Sequence, residues 1–161
     1  MIFITLGSQK FQFNRLLQMI DELVESNQIK DELFAQIGYS DYTPRNYKYK
    51  QFLDREEFVE MMQKCEKVIT HGGTGAMVMA LKNSKKVIAI PRLAKYNEHV
   101  DDHQVQIVMA FKDLNLIQQV TNKEELIEGL TAIENSSFDK FESSTRKIIN
   151  SIEMFIGGED S

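Results

Sequence analysis

The chain has 161 residues, a net charge of −5 and the apolar and charged content of an ordinary soluble globular protein. This length accommodates one domain with its own hydrophobic core. The acidic balance, with no basic stripe to offset it, argues against a nucleic-acid binder. Lysines and tyrosines alternate over residues 47–50, but this short run is interpreted as a solvated strand edge.

Cys65 is the only cysteine, so no disulfide can form within the chain, which fits a reducing cytoplasm. Residues 1–6 are too few for a signal peptide, and no charged leader precedes them. No apolar run approaches the length of a membrane span. We therefore expect a cytoplasmic protein that meets a membrane only through a partner or a surface contact.

Short apolar runs alternate along the chain with segments of helical periodicity. Strands are predicted at residues 2–6, 33–38, 47–53, 68–69, 87–90 and 116–120. Helices are predicted at residues 11–26, from a cap at Asp54 to Cys65, at residues 76–81 and 101–112, from a cap at Thr121 or Asn122 to Ile133, and at residues 138–156. This alternation predicts an α/β, Rossmann-like, three-layer fold with a parallel sheet covered by helices on both faces.

The domain is expected to cover residues 1–156, with a disordered tail at residues 157–161. Asp54 is followed three residues later by Glu57, the spacing of a capping box. The last predicted helix carries a long apolar stripe. We expect it to dock on its own domain, although part of the stripe could bind a partner subunit.

The central feature is the run His71-Gly72-Gly73-Thr74-Gly75, which follows a buried strand and opens onto a helix. Glycines let the backbone turn sharply and remove the side chains that would keep a ligand away. Unpaired N–H groups and the positive end of the helix dipole favour an anion there, most simply a phosphate. The alternative is a plain tight turn. We favour phosphate binding because three glycines lie within four residues beside a histidine.

Two common nucleotide-binding motifs do not fit. A dinucleotide fingerprint would need a glycine at Val78 and an acid at Pro91. No Gly-Lys-Ser/Thr follows the glycines, which excludes a Walker-type loop. His71 and Arg92 each stand at the carboxyl end of a predicted strand, where ligands of open α/β sheets bind. Both should therefore face the same cleft.

A polar loop, residues 98–104, crowds acids, amides and histidines into seven positions. Two histidines and three acids suggest a metal site. However, no cysteine lies nearby, and Asp101 and Asp102 also suit the first turn of the helix that follows. Sugar or ribose recognition fits better, because these side chains hydrogen-bond vicinal hydroxyls. We expect Glu98, Asp101, Asp102 and Gln104 to hold such hydroxyls, with no metal.

Together these segments carry a resemblance to a known family. His71-Gly72-Gly73-Thr74-Gly75, Pro91-Arg92 and the polar loop up to Gln104 resemble the nucleotide-sugar half of a GT-B glycosyltransferase. They are similar to the catalytic subunit of bacterial two-subunit exopolysaccharide and capsule glycosyltransferases. They also resemble the soluble subunit of the eukaryotic dolichol-linked GlcNAc transferase and the C-terminal domain of the peptidoglycan GlcNAc transferase. The resemblance spans residues 1–119.

The resemblance implies an inverting, UDP-sugar-dependent hexosyltransferase that works without a cofactor. Only one GT-B domain is present, so a membrane-associated subunit would bind the lipid-linked sugar acceptor at the inner face of the membrane. His71 is the one candidate for a catalytic role, and the general base is expected on the partner. The residue pattern and the resemblance together give the donor-binding set Gly7, Ser8, Gln9, Leu53, His71, Gly72, Gly73, Thr74, Gly75, Arg92, Glu98, Asp101, Asp102 and Gln104.

One position departs from the family pattern. Met79 stands where many GT-B donor domains place a glutamate on the ribose hydroxyls, so ribose must be held from elsewhere. A rival hypothesis is a non-catalytic nucleotide-sugar-binding module that regulates a synthase. A GT-B-like epimerase is a second rival, but one domain is too little to form the enclosed site that such an epimerase usually has. The sequence leaves galactose, glucose, glucuronic acid and GlcNAc open as the donor sugar.

Overall fold

A computed structural model describes residues 1–156 and divides them into six strands and six α-helices. The strands are β1 (Ile2–Thr5), β2 (Leu33–Gln36), β3 (Lys48–Lys50), β4 (Lys67–His71), β5 (Lys86–Ile90) and β6 (Gln118–Gln119). The helices are α1 (Asn14–Glu25), α2 (Arg55–Lys64), α3 (Thr74–Lys82), α4 (His103–Asp113), α5 (Lys123–Ala132) and α6 (Ser143–Ile156), with 3-10 turns at Ala94–Tyr96 and Ile133–Asn135. The tail predicted at residues 157–161 lies outside the described residues.

The strands form one parallel sheet in the order β3-β2-β1-β4-β5-β6. The chain builds outward from β1 in one direction and then from β4 in the other. This reversal makes the gap between β1 and β4 a topological switch point, where ligands of open α/β sheets bind beyond the carboxyl ends of the strands. Thr5 pairs with Thr70 in this register. The loops that follow β1 and β4 therefore start side by side.

Alternate residues of each strand pack into two separate hydrophobic cores, one on each face of the sheet, because successive side chains of a strand point to opposite faces. Ile2 and Ile4 of β1 pack on one face with apolar residues of α1 and α5. Phe3 packs on the other face with residues of α2, α3, α4 and α6. The predicted three-layer α/β fold, with helices on both faces of a parallel sheet, is confirmed.

Two helices begin later than predicted, and at each start a polar side chain accepts a backbone N–H group. α1 begins at Asn14 rather than at residue 11, and the Phe13 N–H donates instead to Ser40 Oγ at 2.9 Å. α4 begins at His103 rather than at residue 101, and the His103 N–H donates to Asp101 Oδ1 at 3.0 Å. In both places a polar side chain fixes the entry to the helix.

Three further elements are shorter than predicted. β3 stops at Lys50, and the Leu53 N–H beyond it donates to Gln36 Oε1 at 3.1 Å rather than to a neighbouring strand. β6 covers two residues of the predicted five. α6 begins at residue 143 rather than 138. The segment before it is held outside the helix, because the Asp139 N–H donates to the Asn115 carbonyl at 2.8 Å.

The C-terminal helix docks on its own domain, as predicted. α6 lies against α4, and its Ile149 is 1% exposed. Two apolar residues of α6 stay uncovered, since Ile148 of the stripe is 46% exposed and Met154 is 83% exposed. Within residues 1–156, no helix combines the length and the apolar character needed to cross a membrane.

The capping box predicted for α2 is confirmed. Asp54 Oδ1 accepts from the Glu57 N–H at 2.8 Å, and Glu57 Oε1 accepts from the Asp54 N–H at 3.2 Å. At the start of α5, Asn122 is the cap, accepting from the Glu125 N–H at 2.8 Å. Both caps satisfy a first-turn N–H that the helix itself cannot pair.

We expect Asp54→Ala to lower the free energy of unfolding by about 1 kcal/mol, because the helix loses its side-chain cap. Urea unfolding followed by circular dichroism measures the change. Glu60→Ala, at an exposed position of the same helix, is the control and should change stability by less than about 0.5 kcal/mol. A loss in Asp54→Ala no larger than in this control would contradict the assignment.

Candidate functional site

The glycine turn lies at the switch point of the sheet. β4 ends at His71, Gly72 and Gly73 form the turn, and α3 begins at Thr74. The loop that follows β1 contains Gly7, Ser8 and Gln9 and starts beside it, because β1 and β4 are paired neighbours. The structure thus brings both glycine-containing loops of the predicted donor site to one edge of the sheet.

Gly72 and Gly73 serve different purposes. A Cβ at Gly72 would stand 2.8 Å from Gln104 Cβ and 2.9 Å from Val108 Cγ2, so α4 packs against bare backbone there. Gly73 has an extended backbone, φ −79° and ψ 130°, which any residue adopts. Gly72 therefore permits helix packing, whereas no backbone strain explains the glycine at position 73.

The first turn of α3 offers backbone donors to a ligand. Gly73 is the N-cap and supplies no side-chain cap. The first bond within the helix runs from the Met77 N–H to the Gly73 carbonyl at 3.3 Å. The N–H groups of residues 74–76 therefore have no acceptor within the helix. Together with the helix dipole they form an end suited to an anion.

Unpartnered polar atoms collect at the same edge. Among the described residues, the buried side-chain atoms without a hydrogen-bond partner include Thr5 Oγ1, Gln9 Oε1, His71 Nε2 and Thr74 Oγ1. Buried polar groups in native proteins are nearly always hydrogen-bonded, so each exception calls for an explanation. These four belong to the carboxyl ends of β1 and β4 or to the segments that follow.

Gln104 ties the glycine turn to the end of β5. Its Oε1 accepts from the N–H groups of Gly72 and Arg92, both at 3.0 Å. Arg92 Nη2 in turn donates to the carbonyls of Leu6 and Phe11 at 3.0 and 3.1 Å. The Gln104 and Arg92 side chains are fully buried. This network joins the loops after β1, β4 and β5.

His71 stands at the centre of this network. Its Nδ1 lies 3.3 Å from Arg92 Nη1 and 3.3 Å from Gln104 Nε2. Burial lowers the pKa of His71 well below 6.5, and the Arg92 cation lowers it further, while the bond from Gln104 opposes the shift. The imidazole is therefore neutral near pH 7.

Glu98 is held within the chain. Its carboxylate accepts from Arg15 Nε at 2.9 Å and from Arg15 Nη2 at 3.0 Å, a bidentate pair. The Leu93 N–H adds a third bond at 3.0 Å. Glu98 is 1% exposed. The polar loop is thereby fastened to α1, and the carboxylate predicted to hold sugar hydroxyls has protein partners instead.

Asp101 and Asp102 each accept a backbone N–H while keeping contact with solvent. Asp101 Oδ1 accepts from His103, and Asp102 Oδ1 accepts from Ala94 at 2.8 Å. Asp101 also lies 3.2 Å from His99 Nδ1. The described part of the chain contains no group of three or more His, Cys, Asp or Glu side chains placed to hold a metal ion. The two carboxylates stay accessible to a hydroxyl-bearing ligand.

Gln36, at the end of β2, joins the loops that follow β1 and β3. Its Nε2 donates to the Gly7 carbonyl at 3.5 Å, and its Oε1 accepts from the Leu53 N–H. Gly7 has a φ of 73°, a conformation that glycine adopts without strain. Leu53, predicted to border the nucleobase, is thereby fixed beside the loop of residues 7–9.

Three hollows of the described surface lie away from the glycine turn. One of about 520 Å³ is lined by residues of α1 and the first 3-10 turn. Two others, of about 410 and 630 Å³, lie beside the start of β5 and beside β3. No residue of the glycine turn lines any of the three.

A family model decides the assignment. The glycosyltransferase family 28 C-terminal domain matches residues 1–156. The chain belongs to this family. No curated protein matches it. Membership agrees with the position of the site, at the switch point of a Rossmann-like sheet.

Solved structures show the same fold at low sequence identity. ALG13 in solution aligns with a TM-score of 0.61 and 17% identity, over 98% of this chain and 96% of that one. MurG of Acinetobacter baumannii aligns with a TM-score of 0.58 and 13% identity, over 95% of this chain and 49% of that one. The kitacinnamycin glycotransferase aligns with a TM-score of 0.62 and 13% identity, over 97% of this chain and 39% of that one. This family 28 domain is one half of a GT-B fold, as predicted, and spans less than half of the last two proteins.

Three residues of the site escaped prediction from the sequence. Thr5 carries an unpartnered hydroxyl, and Gln36 and Arg15 hold loops of the site in place. Thr5 and Gln36 are each the polar last residue of a short buried strand, which is the signal that could have found them. Arg15 looks like any polar residue of an amphipathic helix, so its pairing with Glu98 carries no local signal.

We expect Thr74→Val and Thr70→Val to change stability in opposite directions. Both residues are buried, but the Thr70 hydroxyl donates to the Thr5 carbonyl at 2.8 Å, whereas the Thr74 hydroxyl has no partner. Removing the unpartnered group should stabilise the ligand-free protein by about 1 kcal/mol, and removing the bonded one should destabilise it by about 1–2 kcal/mol.

Urea unfolding of the two variants beside the wild type measures both changes. The pair is matched in substitution and in burial, so general effects of Thr→Val cancel. If Thr74→Val destabilised the ligand-free protein as much as Thr70→Val does, the Thr74 hydroxyl would have a structural role and would not be held open for a ligand.

Proposed function

We propose that this family 28 domain is the donor-binding catalytic subunit of an inverting glycosyltransferase that transfers a sugar from a UDP-sugar to a lipid-diphosphate-linked sugar. One observation carries the proposal: four buried polar atoms without partners belong to the same carboxyl edge of the sheet as the uncapped start of α3. A diphosphate offers several oxygens and negative charge, which match both features. Exopolysaccharide or capsule biosynthesis is the process that the sequence resemblance favours.

The site would stabilise the leaving diphosphate with fixed donors. Negative charge grows on UDP as its bond to the sugar breaks, and donors that are already oriented lower the barrier without reorganising. The N–H groups of residues 73–76, the Thr74 hydroxyl and Ser8 would take the phosphate oxygens. Arg92 would act mainly through its charge, because its guanidinium already binds the carbonyls of Leu6 and Phe11.

Sugar and ribose would be held from the polar loop. Asp101 and Asp102 keep accessible carboxylates, so we place the hydroxyl contacts on them. Glu98 and Gln104 would serve the donor by holding the loop and the glycine turn in position. Met79 is 40% exposed on α3, and its thioether is only a weak hydrogen-bond acceptor, which makes the loop the main source of ribose contacts.

A second chain would supply the acceptor side. The domain spans 49% of MurG and 39% of the kitacinnamycin glycotransferase, but 96% of ALG13. We propose a membrane-associated partner that presents the lipid-linked acceptor at the cytoplasmic face and contributes the general base. The exposed Ile148 and Met154 of α6 offer apolar surface on which such a partner could dock.

Gly73→Val tests the phosphate site directly. The backbone at Gly73 has an extended conformation that any side chain accepts, so the variant should keep its fold. The added isopropyl group would occupy the space in front of α3 and abolish UDP binding, and Gly73→Ala should weaken binding less. Isothermal titration calorimetry with UDP, beside thermal unfolding, measures both. An unchanged UDP affinity in a folded Gly73→Val protein would remove the site from consideration.

Transfer itself is tested with labelled UDP-galactose, UDP-glucose, UDP-glucuronic acid and UDP-GlcNAc and a lipid-diphosphate-linked acceptor. We expect product only when this chain and its membrane-associated partner are both present, because neither alone forms a complete cleft. The Gly73→Val chain with the same partner is the control and should give none. Binding of a UDP-sugar without transfer in every pairing would favour the non-catalytic regulatory module instead.

A further inference from the structure

The orientation of the Gln104 side chain is fixed by its neighbours. Two backbone N–H groups, those of Gly72 and Arg92, meet one end of the amide at 3.0 Å each. Only the oxygen can accept them, so the NH₂ group must occupy the other end. That end lies 3.3 Å from His71 Nδ1. Gln104 therefore presents a donor to the imidazole.

Arg92 presents a second donor to the same atom. Its Nη1 lies 3.3 Å from His71 Nδ1, while Nη2 is anchored by the carbonyls of Leu6 and Phe11. A guanidinium has no acceptor. A proton on Nδ1 would point at two donor groups at once, so Nδ1 must carry the lone pair. The ring proton then resides on Nε2.

We infer that Gln104 and Arg92 are positioning residues that hold His71 as the neutral Nε2–H tautomer, so that its imidazole meets the donor diphosphate as a hydrogen-bond donor. The tautomer follows from the geometry alone, and the diphosphate contact rests on the proposed function. His71 Nε2 is buried and has no partner among the described residues, so its N–H is available to a ligand oxygen.

The same arrangement removes His71 as a general base. Nδ1 has its lone pair engaged by two donors, and Nε2 already carries a proton, so neither nitrogen can take a proton from an acceptor hydroxyl. Burial and the Arg92 charge lower the pKa of His71, and His99 in the polar loop adds a small effect in the same direction. The ring therefore stays neutral over the pH range in which an ordinary histidine becomes charged.

Long-range proton–nitrogen NMR of the ¹⁵N-histidine-labelled chain tests the tautomer without any ligand. The chain has three histidines, so His99→Gln and His103→Gln variants assign the signals. We expect an unprotonated Nδ1 and a protonated Nε2 at His71, unchanged between about pH 5.5 and 8. A proton on Nδ1, or a ring that titrates in this range, would overturn the inference.

Gln104→Glu tests which group sets the tautomer. A carboxylate can still accept from Gly72 and Arg92, but it now presents an oxygen to His71, so Nδ1 should gain a proton. Gln36→Glu places a carboxylate at the other buried glutamine, which does not contact His71, and should leave the tautomer unchanged. If Nδ1 stayed unprotonated in a folded Gln104→Glu protein, Gln104 would not be the positioning residue. The wild-type spectrum decides the tautomer even if this variant does not fold.

Addition of UDP separates this inference from the proposed function. We expect the His71 Nε2–H signal to shift together with the amide signals of residues 73–76, and the affinity of Gln104→Glu for UDP to fall about tenfold or more, since a hydrogen bond to a charged group is lost. Amide shifts without an Nε2–H shift would overturn the diphosphate contact while leaving the site intact. If UDP shifted none of these signals, the proposed function would be wrong, whereas the assignment of the His71 tautomer would be unaffected.

Discussion

One buried amide organises the site. Gln104 accepts the N–H groups of Gly72 and Arg92 through a single oxygen, and so joins the turn after β4 to the end of β5. Without it, two buried N–H groups would lack acceptors, at a cost that proteins rarely tolerate. The absence of a side chain at Gly72 lets α4 come close enough for this bond. The glycine turn is therefore held in place by α4.

A second glutamine does comparable work on the other half of the sheet. Gln36 connects Gly7 to Leu53 as Gln104 connects Gly72 to Arg92. Each is the side chain of a rigid element that reaches across to two loops at the carboxyl edge. Loops held in this way need little reordering when a ligand arrives, so less of the binding energy is lost to entropy. The unpartnered groups can then remain in fixed positions before binding.

The sequence predicts the framework well because its signals are local. Val68 and Ile69 end at glycines, and Asp54 and Glu57 have the spacing of a capping box, so strand, turn and cap follow from neighbours along the chain. The partner of Glu98 could not be predicted in this way. Arg15 lies 83 residues away, and only the folded sheet brings the two together. In the sequence alone, a buried acid that pairs with a distant arginine cannot be told apart from an acid that binds a sugar hydroxyl.

In the proposed site, local dipoles rather than net charge would attract the anion. The protein carries a net charge of −5, and the imidazole nearest the glycine turn is neutral. The Arg92 guanidinium is buried against backbone carbonyls, so it contributes a field more than a contact. What remains at short range are the N–H groups at the start of α3, the Thr74 hydroxyl and the His71 N–H. Such neutral donors can surround a diphosphate while it gains charge and then let it depart, which a cluster of paired cations would hinder.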